Sequence, residues 1–171
     1  MNSFNNSQFT QKEIKQAKEL QDVINYATWH LGRRDHSSFE LKEKLYRKTD
    51  NEEWIDETIK YLKDSNYLND RRFVEYYLKD CYEYKQYGPT KIKQELKQKG
   101  IEKDLIDEIT EELEIDYFEL AVKCLNKKQK QPIEDRKDRD RLTRFLLTRG
   151  FSFDMIRYAF EEHLKEEDDD Y

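Results

Sequence analysis

Glycine, proline and valine are scarce in this 171-residue chain, which holds four, two and three of them. A sheet protein needs turn residues and β-branched strands, so an all-β fold is excluded. No apolar run approaches the ~18 residues that cross a bilayer, so no membrane partner is expected. The only cysteines are Cys81 and Cys124, with no CxxC. That excludes a disulfide framework or cysteine zinc site and points to a reducing, cytoplasmic setting. Three scattered histidines make no metal motif, and there is no glycine-rich phosphate loop. Carboxylates are abundant but lie on helical faces where water solvates them. No catalytic residue, metal or cofactor is therefore expected, and the chain reads as non-enzymatic. The opening Met1-Asn2-Ser3-Phe4-Asn5-Asn6 has neither a charged n-region nor an apolar h-region, so no secretory signal is expected.

What the chain does have is charge. Charged residues make up 41%, and 32 Lys+Arg against 38 Asp+Glu leave a net charge of −6. Leu, Ile, Val and Phe reach about 23%, just above the ~20% below which disorder is the default. Twelve Tyr and two Trp add amphipathic ring area to a lean core.

Apolar residues recur at steps of three and four, which predicts successive helices. Thr10-x-x-Glu13 reads as a capping box. The stripe Ile14, Ala17, Leu20, Ile24, Ala27, Leu31 behind it predicts one helix roughly 35 Å long. Ser37-x-x-Glu40 and Asp50-x-x-Glu53 open the next two helices, and Asn69 or Asp70 caps a fourth. Gly88-Pro89 sets proline at the first position of a fifth, which Gly100 ends. Leu105 to Leu113 forms a sixth, Asp116-x-x-Glu119 opens a seventh, and residues 126–135 are a polar connection. Leu142 to Leu146 forms an eighth, stopped by Gly150, and Met155 to Phe160 a ninth. Glu166 to Asp170 should be a solvated, frayed tail. Trp29, Trp54, Cys81 and Cys124 read as core residues, and His36 as an exposed loop residue.

Three stretches share one spacing. Leu41, Leu45, Thr49, Trp54-Ile55 and Thr58 are matched by Ile92, Leu96, Gly100, Leu105-Ile106 and Ile109. Leu142, Leu146, Gly150, Met155-Ile156 and Ala159 repeat them again, about 50 residues further on. The pattern predicts an all-α, elongated tandem array of three three-helix repeats. The expected divisions are 1–21 for a tail and the start of the first helix, then 22–68, 69–115 and 116–164 for the repeats, and 165–171 for an acidic tail. Trp54, Leu105 and Met155 are expected to be largely buried.

Charge sorts by helix. Residues 85–103 and 123–149 are basic, whereas 104–119 and 161–171 are acidic. Lys48, Lys99 and Arg149 end the middle helix of each unit, where a cation also complements the helix dipole. Lys137, Arg141, Arg144 and Thr148 fall on one helical face, as do Lys93 and Lys97. These faces are either ordinary solvated surface or a side that meets an anionic partner.

Three motifs carry a resemblance. Arg34-Asp35-His36-Ser37-Ser38-Phe39-Glu40-Leu41 with Leu45, Tyr67-Leu68-Asn69-Asp70-Arg71-Arg72-Phe73, and Tyr87-Gly88-Pro89 through Glu95-Leu96 to Lys99-Gly100-Ile101 resemble, in order, segments of the RecX regulatory proteins. The likeness spans about residues 22–164. Val74 stands where that family has Ala, and Thr49 where it has Gly at the end of the middle helix. The resemblance implies tandem three-helix repeats and a non-enzymatic regulator of the RecA recombinase. Such a protein would lie in the groove of the RecA–single-strand filament and lower filament growth, ATPase and strand exchange. It would act as a monomer, with single-stranded DNA within the filament as a further contact. The partner-binding candidates are Arg33, Arg34, Lys44, Arg47, Lys48, Arg71, Arg72, Lys91, Lys93, Lys97, Lys99, Lys137, Arg141, Arg144 and Arg149. The alternative is a helix-turn-helix-like protein that binds DNA directly.

Overall fold

The computed structural model describes residues 16–130, 133 and 135–169, by backbone alone after 163. Among these residues there are nine α-helices and no strand. They are α1 (Leu20–Leu31), α2 (Ser38–Leu45), α3 (Glu52–Asp64), α4 (Asp70–Asp80), α5 (Pro89–Gln98), α6 (Lys103–Glu112), α7 (Tyr117–Lys128), α8 (Arg136–Thr148) and α9 (Phe153–Asp169). A π-turn, Cys81–Lys85, continues α4.

The buried apolar residues form three clusters, one per repeat. Val23, Ala27, Leu41, Leu45, Ile55, Leu62 and Leu68 make the first. Phe73, Val74, Tyr77, Leu78 and Cys81 join Ile92, Leu96, Ile101, Ile106 and Ile109 in the second. The third runs from Leu120 through Leu142 and Leu146 to Phe160. The expected equivalent pairs, Leu41/Leu45, Ile92/Leu96 and Leu142/Leu146, are all buried. Residues 16–35 and 41–68 form one compact unit, and residues 36–40 with 69–169 form another.

Local chemistry explains the helix ends. The Ser37 box forms as read: Ser37 Oγ accepts from the Glu40 amide at 3.1 Å, and Glu40 Oε2 accepts from the Ser37 amide at 3.4 Å. Asn69 caps α4 by accepting from the Arg72 amide at 3.0 Å, and Asp116 caps α7. Pro89 opens α5 behind Gly88. Gly100 and Gly150 take φ of +72° and +88°, and the amides behind them return to Leu96 and Leu146. This is the six-to-one closure that only glycine enters without strain. In the first repeat Thr49 holds that slot, and α2 unwinds after Leu45 instead.

Several expectations are corrected. The Thr10 box lies outside the described residues, but residues 16–19 are not helical. Helix α1 is therefore only 12 residues, roughly 18 Å, and its most buried positions are Val23 and Ala27. Asn51, not Asp50, caps α3, accepting from the Trp54 amide at 3.1 Å. Trp54, Leu105 and Met155 are only partly buried, because the next residues, Ile55, Ile106 and Ile156, point straight into the clusters. Ile55→Ala should accordingly cost about 2–5 kcal/mol of stability, and Trp54→Ala clearly less. Urea unfolding of the two variants checks the order, and a larger loss at Trp54 would overturn it. Trp29 is 55% exposed rather than core, and His36 is buried rather than looped out to water. Cys81 and Cys124 are buried, as read. The acidic tail is helical through Asp169 rather than frayed.

The unit holding residues 69–169 joins its two repeats backbone to backbone. The Gly88 amide donates to Arg149 O at 2.8 Å, and the Thr90 amide donates to Gly150 O at 3.2 Å. The start of α5 thus receives the free carbonyls at the end of α8, so each helix end satisfies the other. Tyr117 packs on both the second and third clusters, and burial pushes its phenol up to about 12.

Candidate functional site

The cationic candidates divide into those held by partners within the fold and those that reach solvent. In the first unit, the Arg33 guanidinium lies over the exposed Trp29 ring at 4.9 Å. Arg34 donates to Asp35 O at 2.8 Å, and Lys48 sits 5.6 Å above the Tyr26 ring. Arg47 is exposed and Lys44 half-buried.

In the second unit, Arg71 is occupied. Its guanidinium donates to Glu108 at 2.9 Å and to both oxygens of Glu112, and it pairs with Glu75 at 3.5 Å. Those carboxylates, on α4 and α6, clamp the helices together. Arg72, one position on, is half-buried. Lys99 is also occupied. It pairs with Glu40 at 2.7 Å, while Ser37 Oγ donates to Lys99 O at 2.6 Å. Lys93 pairs with Asp107 at 2.8 Å, and that pairing holds the Asp107 carboxyl below its ordinary range. Lys91 lies over the Tyr87 ring at 4.2 Å. Arg149, half-buried at the end of α8, donates to Lys85 O and stacks on Phe145 at 4.8 Å.

The remaining candidates are open. Lys97, Lys137, Arg141 and Arg144 are exposed on α5 and α8. Arg141 pairs with its own-helix neighbour Asp138 at 2.9 Å and donates to Gln129 Oε1 at 3.4 Å. Among the described residues, Arg144 donates to the Asp140 carbonyl behind it and forms no ion pair. Lys137, Arg141, Arg144 and Thr148 share a face of α8, as their spacing predicts. Thr148 lines a groove of about 320 Å³ together with Thr90, Lys91, Gln94, Glu95, Gln98, Leu147 and Gly150. The α5–α8 joint thus forms the floor of a polar surface that ends in exposed cations.

A second groove was not legible in the sequence. It is about 260 Å³ and is lined by Tyr84, Lys85, Gln86, Cys124, Lys127, Lys128, Phe145 and Arg149. The π-turn that shapes one wall gives no composition signal of its own. The Lys123 to Lys128 charge run was the only clue. Among the described residues, no group of three or more His, Cys, Asp or Glu could hold a metal ion. No helix among them is long and apolar enough to cross a membrane.

Residues 24–62, 69–109 and 114–160 match, in order, the first, second and third three-helix domains of RecX. The chain belongs to the RecX family. It is 40% identical over 135 residues to "Regulatory protein RecX" of Haemophilus influenzae (strain PittEE), covering 77% of this chain and 88% of that one. It is 41% identical over 130 residues to the Vibrio campbellii protein of the same name, covering 75% and 83%. The crystal structure of RecX from Lactobacillus salivarius superposes with a TM-score of 0.70 at 26% identity, covering 84% of this chain and 95% of that one. These RecX relatives are named as regulatory proteins, not as enzymes. Each matched domain holds all or most of one buried cluster, with Val23 and Leu68 of the first cluster lying just outside its matched residues.

Proposed function

We propose that the chain binds the RecA–single-strand filament and restrains it, lowering filament growth, ATPase and strand exchange. The observation that carries this reading is the ordered match to all three RecX domains, with relatives named as regulatory proteins across most of the chain. The open cations of α5 and α8 support it. The filament is polyanionic through its DNA, and an exposed cationic face raises the encounter rate with such a partner. The protein acts as a monomer in the cytoplasm, without catalytic residue or cofactor, by occupying surface rather than by chemistry.

Co-sedimentation tests the binding step. RecA assembled on oligo(dT) with a slowly hydrolysed ATP analogue should carry the chain into the pellet in a saturable way. Neither free RecA nor free oligo(dT) at the same concentration should retain it as well. A chain that stays in the supernatant with the filament would overturn the reading.

A further inference from the structure

The groove beside the π-turn combines two features that the proposed RecA contact does not use. The first is charge. Lys85, Lys127, Lys128 and Arg149 line it, and no carboxylate does. Lys85 is paired with Asp80 at 2.6 Å, but among the described residues no ion pair occupies Lys127, Lys128 or Arg149. Their field is felt inside the groove. Burial raises the Cys124 thiol, while Arg149 and Lys127 pull it back down. The second feature is ring surface. Tyr84 is 71% exposed, held there by the π-turn and by Gln86 in the left-handed region at φ +52°. Phe145 forms the opposite wall, with Lys128 at 5.4 Å and Arg149 at 4.8 Å over its ring.

We infer that this groove binds single-stranded nucleic acid, with Lys127, Lys128 and Arg149 on the phosphates and Tyr84 stacking on an unpaired base. Cations that track a backbone beside an open aromatic ring are the working parts of sequence-independent single-strand sites. A duplex keeps its bases stacked on each other and leaves Tyr84 without a partner. A phosphorylated peptide uses the cations alone. The groove's volume lies just under the ~300 Å³ at which small-molecule pockets begin, which suits one nucleotide of a longer strand. The net charge of −6 acts on the groove only through nearby acids, because fields at physiological salt decay over about 8 Å, and no carboxylate lines the groove itself.

Fluorescence anisotropy with labelled dT20 at ~50–200 mM salt, without RecA, tests the assignment separately from the filament reading. The unmodified chain should bind with a log–log salt slope near −2, as expected for about three phosphates. Lys127→Glu/Lys128→Glu should weaken binding at least tenfold and flatten the slope. Lys18→Glu/Lys60→Glu, with the same charge change elsewhere, should weaken it less than threefold. Tyr84→Ala should lose about tenfold, and Tyr84→Phe should keep most of the affinity. As an exposed position, Tyr84 remains readable even if the double reversal fails to fold. The assignment is overturned if dT20 does not bind or if the control reversal costs as much as the groove reversal. It is overturned equally if Tyr84→Ala changes nothing, or if duplex DNA or a phosphopeptide binds as well through the same residues.

Discussion

Gly88→Ala is expected to destabilise the second unit by about 3–5 kcal/mol. A Cβ at Gly88 would lie 2.4 Å from the carbonyl carbon and oxygen of Gly150 and 2.5 Å from the Phe151 amide nitrogen. All three are backbone atoms, so no side chain can turn aside. The start of α5 and the end of α8 must separate. That loosens the amide bonds from Gly88 to Arg149 O and from Thr90 to Gly150 O. Overpacking costs about 1–3 kcal/mol and each lost hydrogen bond about 1 kcal/mol, which gives the sum. A melting temperature lower by roughly 8–15 °C should follow, and circular dichroism checks it. Gly150→Ala should behave alike, because φ is +88° there and its Cβ would meet the Lys91 amide at 2.4 Å. Gly32→Ala is the contrast. Its nearest neighbours would be at 3.5 Å and its φ is −67°, so stability should hold or rise by a few tenths. A Gly88→Ala protein that melts with the unmodified chain would mean that the joint is not close-packed.

The second large effect is functional. Lys97→Glu/Lys137→Glu/Arg144→Glu reverses three exposed cations of α5 and α8, none of them in an ion pair among the described residues. Lys93 is left alone, since a glutamate there would face Asp107. Surface substitutions of this kind change stability by about 0.5 kcal/mol or less, so the variant should melt normally. Single exposed charges are worth little because water and salt screen them. Three together act through the summed field, so restraint of RecA should fall at least tenfold at ~0.1 M salt. The gap between variant and unmodified chain should narrow as salt rises. A folded variant with full potency would move the RecA contact away from α5 and α8, first to Arg33 and Arg34 in the first unit.

Features set by neighbours in the sequence were legible, and features set across the fold were not. The Ser37–Glu40 box, Pro89 behind Gly88, and Gly100 and Gly150 after their helices each depend on residues a turn apart. The 50-residue repeat exposed Leu41/Leu45 and its two echoes because burial at helical spacing is what three small cores require. The choice between Trp54 and Ile55 was not legible, because adjacent apolar residues satisfy the same period and only packing decides which points inward. The π-turn after Asp80 was hidden for a similar reason. One extra residue per turn leaves the pattern of Tyr77, Leu78 and Cys81 unchanged up to the point where Tyr84 is turned out. Helix α1 read too long since Ala17 keeps the stripe in phase while its backbone has already left the helix, its amide donating to Lys48 O at 2.9 Å.

Among the candidate cations, the sequence identified the type and the face but not the use. Arg71 is taken by Glu108 and Glu112, and Lys99 by Glu40, at separations where no periodicity connects them. Among the described residues Lys97, Lys137 and Arg144 form no ion pair, and Asp140, one turn from both Lys137 and Arg144, pairs with Arg136 at 4.0 Å instead. Lys127 and Lys128 were hidden in a basic run whose groove exists only once the π-turn and α8 flank it.

The most direct measurement is RecA's single-strand-dependent ATPase in the presence of the chain at well below one copy per RecA. A protein that restrains the filament should lower the steady-state rate under these conditions. The unmodified chain should lower it in a dose-dependent way, and the triple charge-reversed chain should need at least tenfold more. An ATPase rate that stays unchanged up to equimolar chain would contradict the regulator reading.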